Sequence, residues 1–265
     1  MRKIYLSLLY GLFIIGTTFA QKTSLDEETL KKANDPLAKS KAINLHNYVV
    51  SDLYGMDGVG QNITMLRYGQ PLGKFLLRGT LPIMTTWSPG AGPRSGLGDA
   101  SLFGLFTIDF KGNKIGFGPI VSFPTGTNNL GSRKWQAGVA AMAFLARNRV
   151  FQSGALLQWQ ASFAGKRHAQ NPNAEDPSSP DINALTAQLF GILQLGGGAY
   201  LRSTGVWSFN LENGNFNIPL GLGIGKVVMI NKVVVNIFAE PQFSVLAQGM
   251  GQPRFQLFIG MNTQF

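Results

Sequence analysis

The chain of 265 residues contains no cysteine and only two histidines, His46 and His168. Without cysteine it cannot form disulfides, use thiol catalysis or bind metal through thiolates, and it cannot be acylated as a bacterial lipoprotein. Two histidines are too few for an ordinary histidine-rich metal site. We therefore expect no metal site and no cofactor.

Charged residues are also scarce, at 14% of the chain, compared with about 25% in soluble domains. Glycine is abundant, with 33 residues, and hydrophobic residues make up 45% of the chain. This hydrophobic content is spread along the whole sequence, which excludes a disordered protein. The composition suits a protein whose outer surface faces lipid.

The first 20 residues have the organisation of a secretory signal peptide. Arg2 and Lys3 precede an apolar run over 4–16, and 18–20 offers a cleavage site with a small residue at Ala20. An uncleaved anchor is the alternative, but the run is short for a spanning helix, which needs about 20 apolar residues. Cleavage would lower the formal net charge from +10 to +8.

The C-terminal segment alternates between two faces. One face carries Phe255, Leu257, Ile259 and Met261, and the other carries Gln256, Phe258, Gly260 and Asn262. A period of two indicates a strand with one apolar face. The chain ends on Phe265, and an aromatic end to an amphipathic strand resembles the signal read by the outer-membrane insertion machinery. We expect that machinery to be a partner.

The same alternation recurs over 115–123, 157–163, 216–224 and 233–239. A soluble sandwich would also alternate, but here the less apolar face is rich in Gly, Gln and Asn and has few charges. A polar lumen behind a lipid-facing wall has this character. The sequence therefore predicts an all-β protein, an antiparallel transmembrane β-barrel over 42–265.

Strand counting favours twelve strands, with ten and fourteen as alternatives. The tight connections fall near residues 71, 112, 148, 196 and 230, and longer ones span 51–59, 86–96, 125–133, 165–181, 210–213 and 248–251. Bacterial barrels have an even strand number, short periplasmic turns and longer extracellular loops. With a periplasmic C-terminus, every tight turn lies on the periplasmic side.

Residues 21–41 precede the barrel and have a different pattern. Ser24 and Glu27 form a capping box for a short helix, which Pro36 ends. The segment is either a plug inside the lumen or a mobile periplasmic helix. We favour the mobile helix, because Leu25 and Leu30 give it little apolar surface.

Polar residues on the predicted inner faces are candidates for a solute pathway. Arginines there bias passage toward anions, or they pair with a neighbouring carboxylate and fill the interior. The candidate lumen residues are Arg78, Asp99, Gln158, Gln160, Arg202 and Glu240.

Basic loop residues form a second group. Their charge suits contact with anionic lipopolysaccharide and outer-membrane lipids, and a location in that membrane argues against a nucleic-acid partner. The residues are Arg94, Arg133, Lys134, Lys166 and Arg167.

Several blocks of sequence resemble one bacterial family. They are Gly96-Leu97-Gly98-Asp99, residues 118–127, residues 130–136, Tyr200-Leu201-Arg202-Ser203, and residues 213–223. Together they are similar to the outer-membrane proteins grouped with the meta pathway of phenol degradation, whose members are described as transporters. The resemblance covers 60–265 and implies a barrel in the outer membrane of a Gram-negative bacterium, with no catalytic motif.

Two functions remain open. The first is a transporter or channel for small solutes, with hydrophobic or aromatic molecules among the candidates and the substrate itself unknown. The second is a non-conducting barrel with a filled lumen and a structural or surface role. A lipid-modifying enzyme, with His168 near lipid head groups, is less favoured. The glycines at 221, 223 and 225 lack the Lys-Ser/Thr pair of a phosphate loop and indicate space inside a barrel.

Overall fold

The structure is a computed structural model that describes residues 27–127, 130–148, 150–165 and 181–265. The predicted signal peptide lies outside the described residues, as do Lys166, Arg167 and His168. No helix among the described residues is long and apolar enough to cross a membrane.

Within these ranges, one short helix precedes fifteen strands. In chain order they are α1 (Glu27–Ala33), β1 (Ala42–Leu53), β2 (Gly60–Leu72), β3 (Phe75–Ser88), β4 (Ala91–Leu97), β5 (Ser101–Phe110), β6 (Asn113–Ser122), β7 (Lys134–Leu145), β8 (Phe151–Gly165), β9 (Asn183–Gly196), β10 (Ala199–Ser203), β11 (Val206–Asn210), β12 (Phe216–Gly221), β13 (Gly223–Ile230), β14 (Val233–Gln248) and β15 (Pro253–Gln264).

The fifteen segments form twelve barrel strands, because three strands are interrupted. Both β4 and β5 pair with β3, both β10 and β11 pair with β9, and both β12 and β13 pair with β14. All neighbours are antiparallel, and β15 pairs with β14 on one side and β1 on the other, which closes the ring. The predicted twelve-stranded antiparallel barrel is confirmed.

The two faces of each strand follow the alternation in the sequence. On β15, Phe258 is 2% exposed and points inward, while Ile259 points outward and is 42% exposed. Leu222, between β12 and β13, is 66% exposed on the outer face. So many large apolar side chains on one continuous outer surface would associate in water, and they match a lipid environment.

Three inward glycines leave room for neighbouring side chains. A Cβ at Gly225 would lie 2.2 Å from Cζ of Tyr200, and one at Gly221 would lie 2.6 Å from Oε1 of Glu240. At Gly223 a Cβ would lie 2.6 Å from Cβ of Glu240. The glycine run therefore provides space inside the barrel for Tyr200 and Glu240.

The connections at the two ends of the barrel differ in length. Tight turns lie at 73–74, 111–112, 197–198 and 231–232, and we call this side the tight-turn end. Most longer connections lie at the opposite, long-loop end. The predicted loop 86–96 is different, because β3 and β4 form a hairpin that turns at Gly90 (φ 75°). A hydrogen bond of 2.8 Å joins the Thr85 and Ser95 hydroxyls across it.

Candidate functional site

A cavity of about 580 Å³ occupies the lumen. Of the predicted pathway residues, Arg78, Gln158, Gln160 and Arg202 line this cavity. Glu240 lies behind the lining, and Asp99 lies away from it. The lining divides into a basic wall, a carboxylate-paired arginine, an apolar wall and the N-terminal segment.

The basic wall consists of Arg67 on β2, Arg78 on β3 and His46 on β1. Nη1 of Arg67 lies 3.0 Å from Nδ1 of His46, and Nε2 of His46 lies 2.7 Å from Oδ1 of Asn262. A guanidinium only donates hydrogen bonds, so Nδ1 accepts and Nε2–H donates to Asn262. His46 is therefore neutral, and both of its ring nitrogens have partners.

Neither arginine of this wall has a carboxylate partner within the described part of the chain. Nη2 of Arg78 donates to the carbonyl oxygen of Pro36 at 2.8 Å, and its guanidinium lies 5.0 Å from the ring centroid of Phe103. Nη2 of Arg67 lies 3.1 Å from the sulfur of Met65. The basic wall therefore contributes two positive charges to the lumen that no described side chain neutralises.

Arg202 differs, because Glu240 neutralises it. Nε of Arg202 donates to Oε2 of Glu240 at 2.9 Å, and its guanidinium lies 3.5 Å from the ring centroid of Phe238. The fully buried Glu240 carboxylate also accepts from the Thr204 N–H and hydroxyl, each at 2.7 Å. Thr204 lies in the gap between β10 and β11, where Glu240 supplies an acceptor for its backbone N–H. This pairing is one of the two roles expected for Arg202.

Asp99 organises a loop at the long-loop end. Its Oδ2 accepts from the Ser132 N–H at 2.7 Å and from the Ser132 hydroxyl at 2.6 Å, and its Oδ1 accepts from the Gly126 N–H at 2.9 Å. A Cβ at Gly126 would lie 2.6 Å from Cα of Gly131, so the two sides of this loop touch. Three of the sequence blocks with the family resemblance, around 99, 126 and 132, meet here. The geometry assigns Asp99 a loop-organising position rather than a place on the solute pathway.

The two glutamines lie on β8 and face the cavity. The Ser122 hydroxyl donates to Oε1 of Gln160 at 2.8 Å. Gln158 lies two residues before Gln160 on the same face of β8, and both side chains add neutral polar surface to the lumen. They lie beside the apolar wall, which contains Phe103, Ile120, Met142 and Leu156 from β5, β6, β7 and β8.

The N-terminal segment, residues 33–40, lies inside the barrel at the tight-turn end. Leu37 is 1% exposed and packs among Leu76, Leu105 and the apolar wall. Ala33 packs in a second cluster that includes Tyr48, Tyr200 and Phe258. The sequence favoured a mobile periplasmic helix, whereas the structure places this segment in the lumen. The prediction considered only Leu25 and Leu30, and it did not count Leu37, which follows the helix and anchors the segment.

Polar contacts fix the position of the N-terminal segment. Asp35 forms an ion pair with Lys114 on β6, and its Oδ1 accepts from the Leu37 N–H at 2.8 Å. Nδ2 of Asn236 on β14 lies 2.9 Å from Oδ1 of Asn34. Burial raises the pKa of Asp35 against the opposing effect of Lys114. The cost of burying this carboxylate therefore offsets part of the stabilisation that the ion pair provides.

Two residues of the site were missing from the sequence-based set. Arg67 stands between Leu66 and Tyr68, which both point outward, and this alternation alone would have placed it in the lumen. His46 is the second missing residue. Its contact with Arg67 joins residues 21 positions apart and could not be read from local pattern.

The basic loop residues differ from one another in their exposure to solvent. Arg94 is exposed on β4. Lys134 is instead buried, and its Nζ lies 2.6 Å from Oδ1 of Asp181. Across the described ranges no group of three or more His, Asp or Glu side chains could hold a metal ion.

Comparisons with known proteins identify the fold. No family model matches the chain, and no curated protein matches it. The chain is similar to an outer membrane channel from Pseudomonas putida F1, with a TM-score of 0.65 and 14% identity over 87% of this chain and 99% of that one. It is also similar to the NanC porin, with a TM-score of 0.53 and 6% identity over 85% of this chain and 99% of that one. At these identities the likeness shows the fold, which is that of outer-membrane barrels.

Proposed function

We propose that this chain is a passive channel for small solutes in the outer membrane of a Gram-negative bacterium. The closed ring, its apolar outer surface and the fold of the two similar barrels support that location. In this arrangement the tight-turn end and the N-terminal segment face the periplasm. We also propose that the exposed Arg94 at the other end contacts lipopolysaccharide and that the insertion machinery recognises the strand that ends at Phe265.

One observation carries the channel proposal, namely the cavity of about 580 Å³ inside the closed barrel. Eight-stranded barrels are filled by side chains, and those with 16–18 strands enclose an aqueous channel. Twelve strands lie between these limits, so the side chains inside the lumen determine whether the barrel is filled or open. Here the lumen retains space, and it is lined by two arginines that have no carboxylate partner among the described residues, which favours the passage of anions over cations.

The test is conductance of the refolded protein in a planar bilayer. Under a salt gradient we expect the reversal potential to show anion preference at low salt, where screening is weak. Replacing both Arg67 and Arg78 with Glu should move the reversal potential toward cation preference. Arg254→Glu is the matched control, since Arg254 lies outside the cavity beside Asp52, at 3.6 Å.

The alternative is a non-conducting barrel, and the N-terminal segment favours it. Leu37 and Ala33 fill space at the tight-turn end. An absence of conductance in the wild type and in a variant that lacks 21–40 would support this alternative and overturn the channel proposal. Conductance with unchanged selectivity in the double Glu variant would remove the arginines from the pathway.

We propose no catalytic role. Both ring nitrogens of His46 are engaged, by Arg67 and Asn262, so this side chain has no nitrogen free to act as a base. A phospholipid hydrolysis assay with the folded protein would test this proposal, and turnover above the background rate would contradict it.

A further inference from the structure

We propose that the lumen contains a binding site for a small amphipathic organic anion, such as an aromatic carboxylate. The carboxylate would lie between Arg67 and Arg78, and the apolar body would lie against the apolar wall. This inference rests on the proposed channel function and specifies the class of solute.

The first support is the placement of the two guanidinium groups. Arg78 lies opposite Gly69 in the β2–β3 register, and Arg67 is two residues before Gly69 on the same face. The two arginines are therefore diagonal neighbours on adjacent strands. Gly69 places no side chain between them, and a Cβ there would meet only Ala42, at 3.7 Å.

The second support is the unused hydrogen-bonding capacity of this wall. Each arginine has five N–H groups in a planar fork, suited to two parallel bonds with a carboxylate. Arg67 uses Nη1 for His46 and Nη2 for Met65, while its Nε is buried and has no partner in the part of the chain that the structure describes. Buried polar atoms without a partner are rare in folded proteins, and each requires an explanation.

A second buried polar atom without a partner among the described residues belongs to Asn44, on the neighbouring strand. Asn44 is opposite Arg67 in the β1–β2 register and lines the cavity, and its Oδ1 is buried with no partner. An amide can present either its oxygen or its nitrogen after a flip. Asn44 can therefore donate to a ligand carboxylate beside Arg67.

The third support is the apolar surface that adjoins these charges. The guanidinium of Arg78 lies 5.0 Å from the centroid of Phe103, which belongs to the apolar wall. Ile120, Met142 and Leu156 continue this surface along the cavity. The cavity volume falls within the usual range for small-molecule sites, about 300–1,000 Å³. A charged head and an apolar body match the two walls, whereas an inorganic anion would contact only one of them.

The experiment measures equilibrium binding to the folded, full-length mature protein in detergent micelles by titration calorimetry, with protein-free micelles as the blank. Benzoate is the probe, benzyl alcohol lacks its charge, and acetate lacks its ring. The variants are Arg67→Gln and Arg78→Gln, with Arg254→Gln as the control outside the cavity. Heat-modifiable migration verifies that each variant is folded.

We expect benzoate to bind the wild type at least about tenfold more tightly than either benzyl alcohol or acetate. Each of the two lumen variants should weaken benzoate binding at least about tenfold, because each loses a charge-assisted pair. Arg254→Gln should bind as the wild type does.

If the two lumen variants bind benzoate as tightly as the wild type does, the proposed site is wrong. If the wild type binds benzyl alcohol as tightly as benzoate, the arginines do not contribute to recognition. If it binds acetate as tightly as benzoate, the apolar wall does not contribute. If a variant fails to fold, the comparison of the three probes on the wild type still decides. Benzoate binding without bilayer conductance would support the binding site and contradict the channel proposal. Conductance without benzoate binding would support the channel proposal and contradict the binding site.

Discussion

Leu37 is the main apolar anchor of the N-terminal segment, so Leu37→Ala should release the segment from the lumen. The change removes about three methylene groups, each worth about 0.8 kcal/mol of burial. The docked state then loses about 2.4 kcal/mol, and the cavity left among Leu76, Leu105 and the apolar wall adds to this loss. Since about 1.4 kcal/mol corresponds to a tenfold change, the ratio of docked to released segment should fall about 50-fold.

Two measurements follow the released state. Single-channel recordings should show more frequent or longer openings to a higher conductance, because residues 33–40 leave the tight-turn end. Trypsin should cut the folded variant faster at Lys32 and Lys39, since cleavage of a transiently opened segment follows the population of the open form.

Asp109→Asn is the matched control. It breaks the ion pair with Lys39, 2.6 Å apart and exposed on both sides, without altering a trypsin site. Such exposed pairs contribute about 0–1 kcal/mol, so this variant should change the openings by only a few-fold. A folded Leu37→Ala protein with wild-type openings and wild-type cleavage would show that the segment does not limit conductance.

Three further predictions concern the barrel wall. Leu222→Arg should impair assembly, since Arg at the bilayer midplane costs about 2–4 kcal/mol, and normal heat-modifiable folding would place Leu222 off the lipid face. Gly225→Ala should destabilise the barrel to urea by about 1–3 kcal/mol, because its Cβ meets Tyr200, and Tyr200→Leu should restore much of the loss. Glu240→Gln should strengthen anion preference in the reversal potential, because Arg202 loses its neutralising partner; an unchanged potential in the folded variant would refute this.

The sequence predicted the barrel well, because lipid on one side and a lumen on the other impose a period of two on every strand. The strand number followed from that pattern and from the turn residues. The hairpin turning at Gly90 was interpreted as a loop, since its residues 91–97 do not alternate between apolar and polar. The hydrogen bonds between β3 and β4 continue through this hairpin, although β4 has no apolar face.

The site was predicted less completely, because its contacts join distant parts of the chain. Polarity placed Arg78 and Arg202 on the inner face. It could not show that, of these two, Arg202 alone has a carboxylate beside it within the described ranges. Asp99 is polar like the lumen residues, but it lies at a strand interruption, where its carboxylate binds backbone N–H groups. The docking of Leu37 depends on a single side chain, which periodicity cannot detect.

The N-terminal segment also crosses the joint at which the ring closes. The β1–β15 pair joins Ala42 to Gln264, so closure brings together residues from nearly opposite ends of the chain. Pairing at such sequence separation is slow to form. Nε2 of Gln264 donates to the Lys32 carbonyl oxygen at 3.1 Å, and the Ser40 hydroxyl donates to Oε1 of Gln264 at 3.3 Å. Asn236 on β14 is also held to Asn34, so the segment links β14 and β15 from inside the barrel, beside the strand pair that closes the ring.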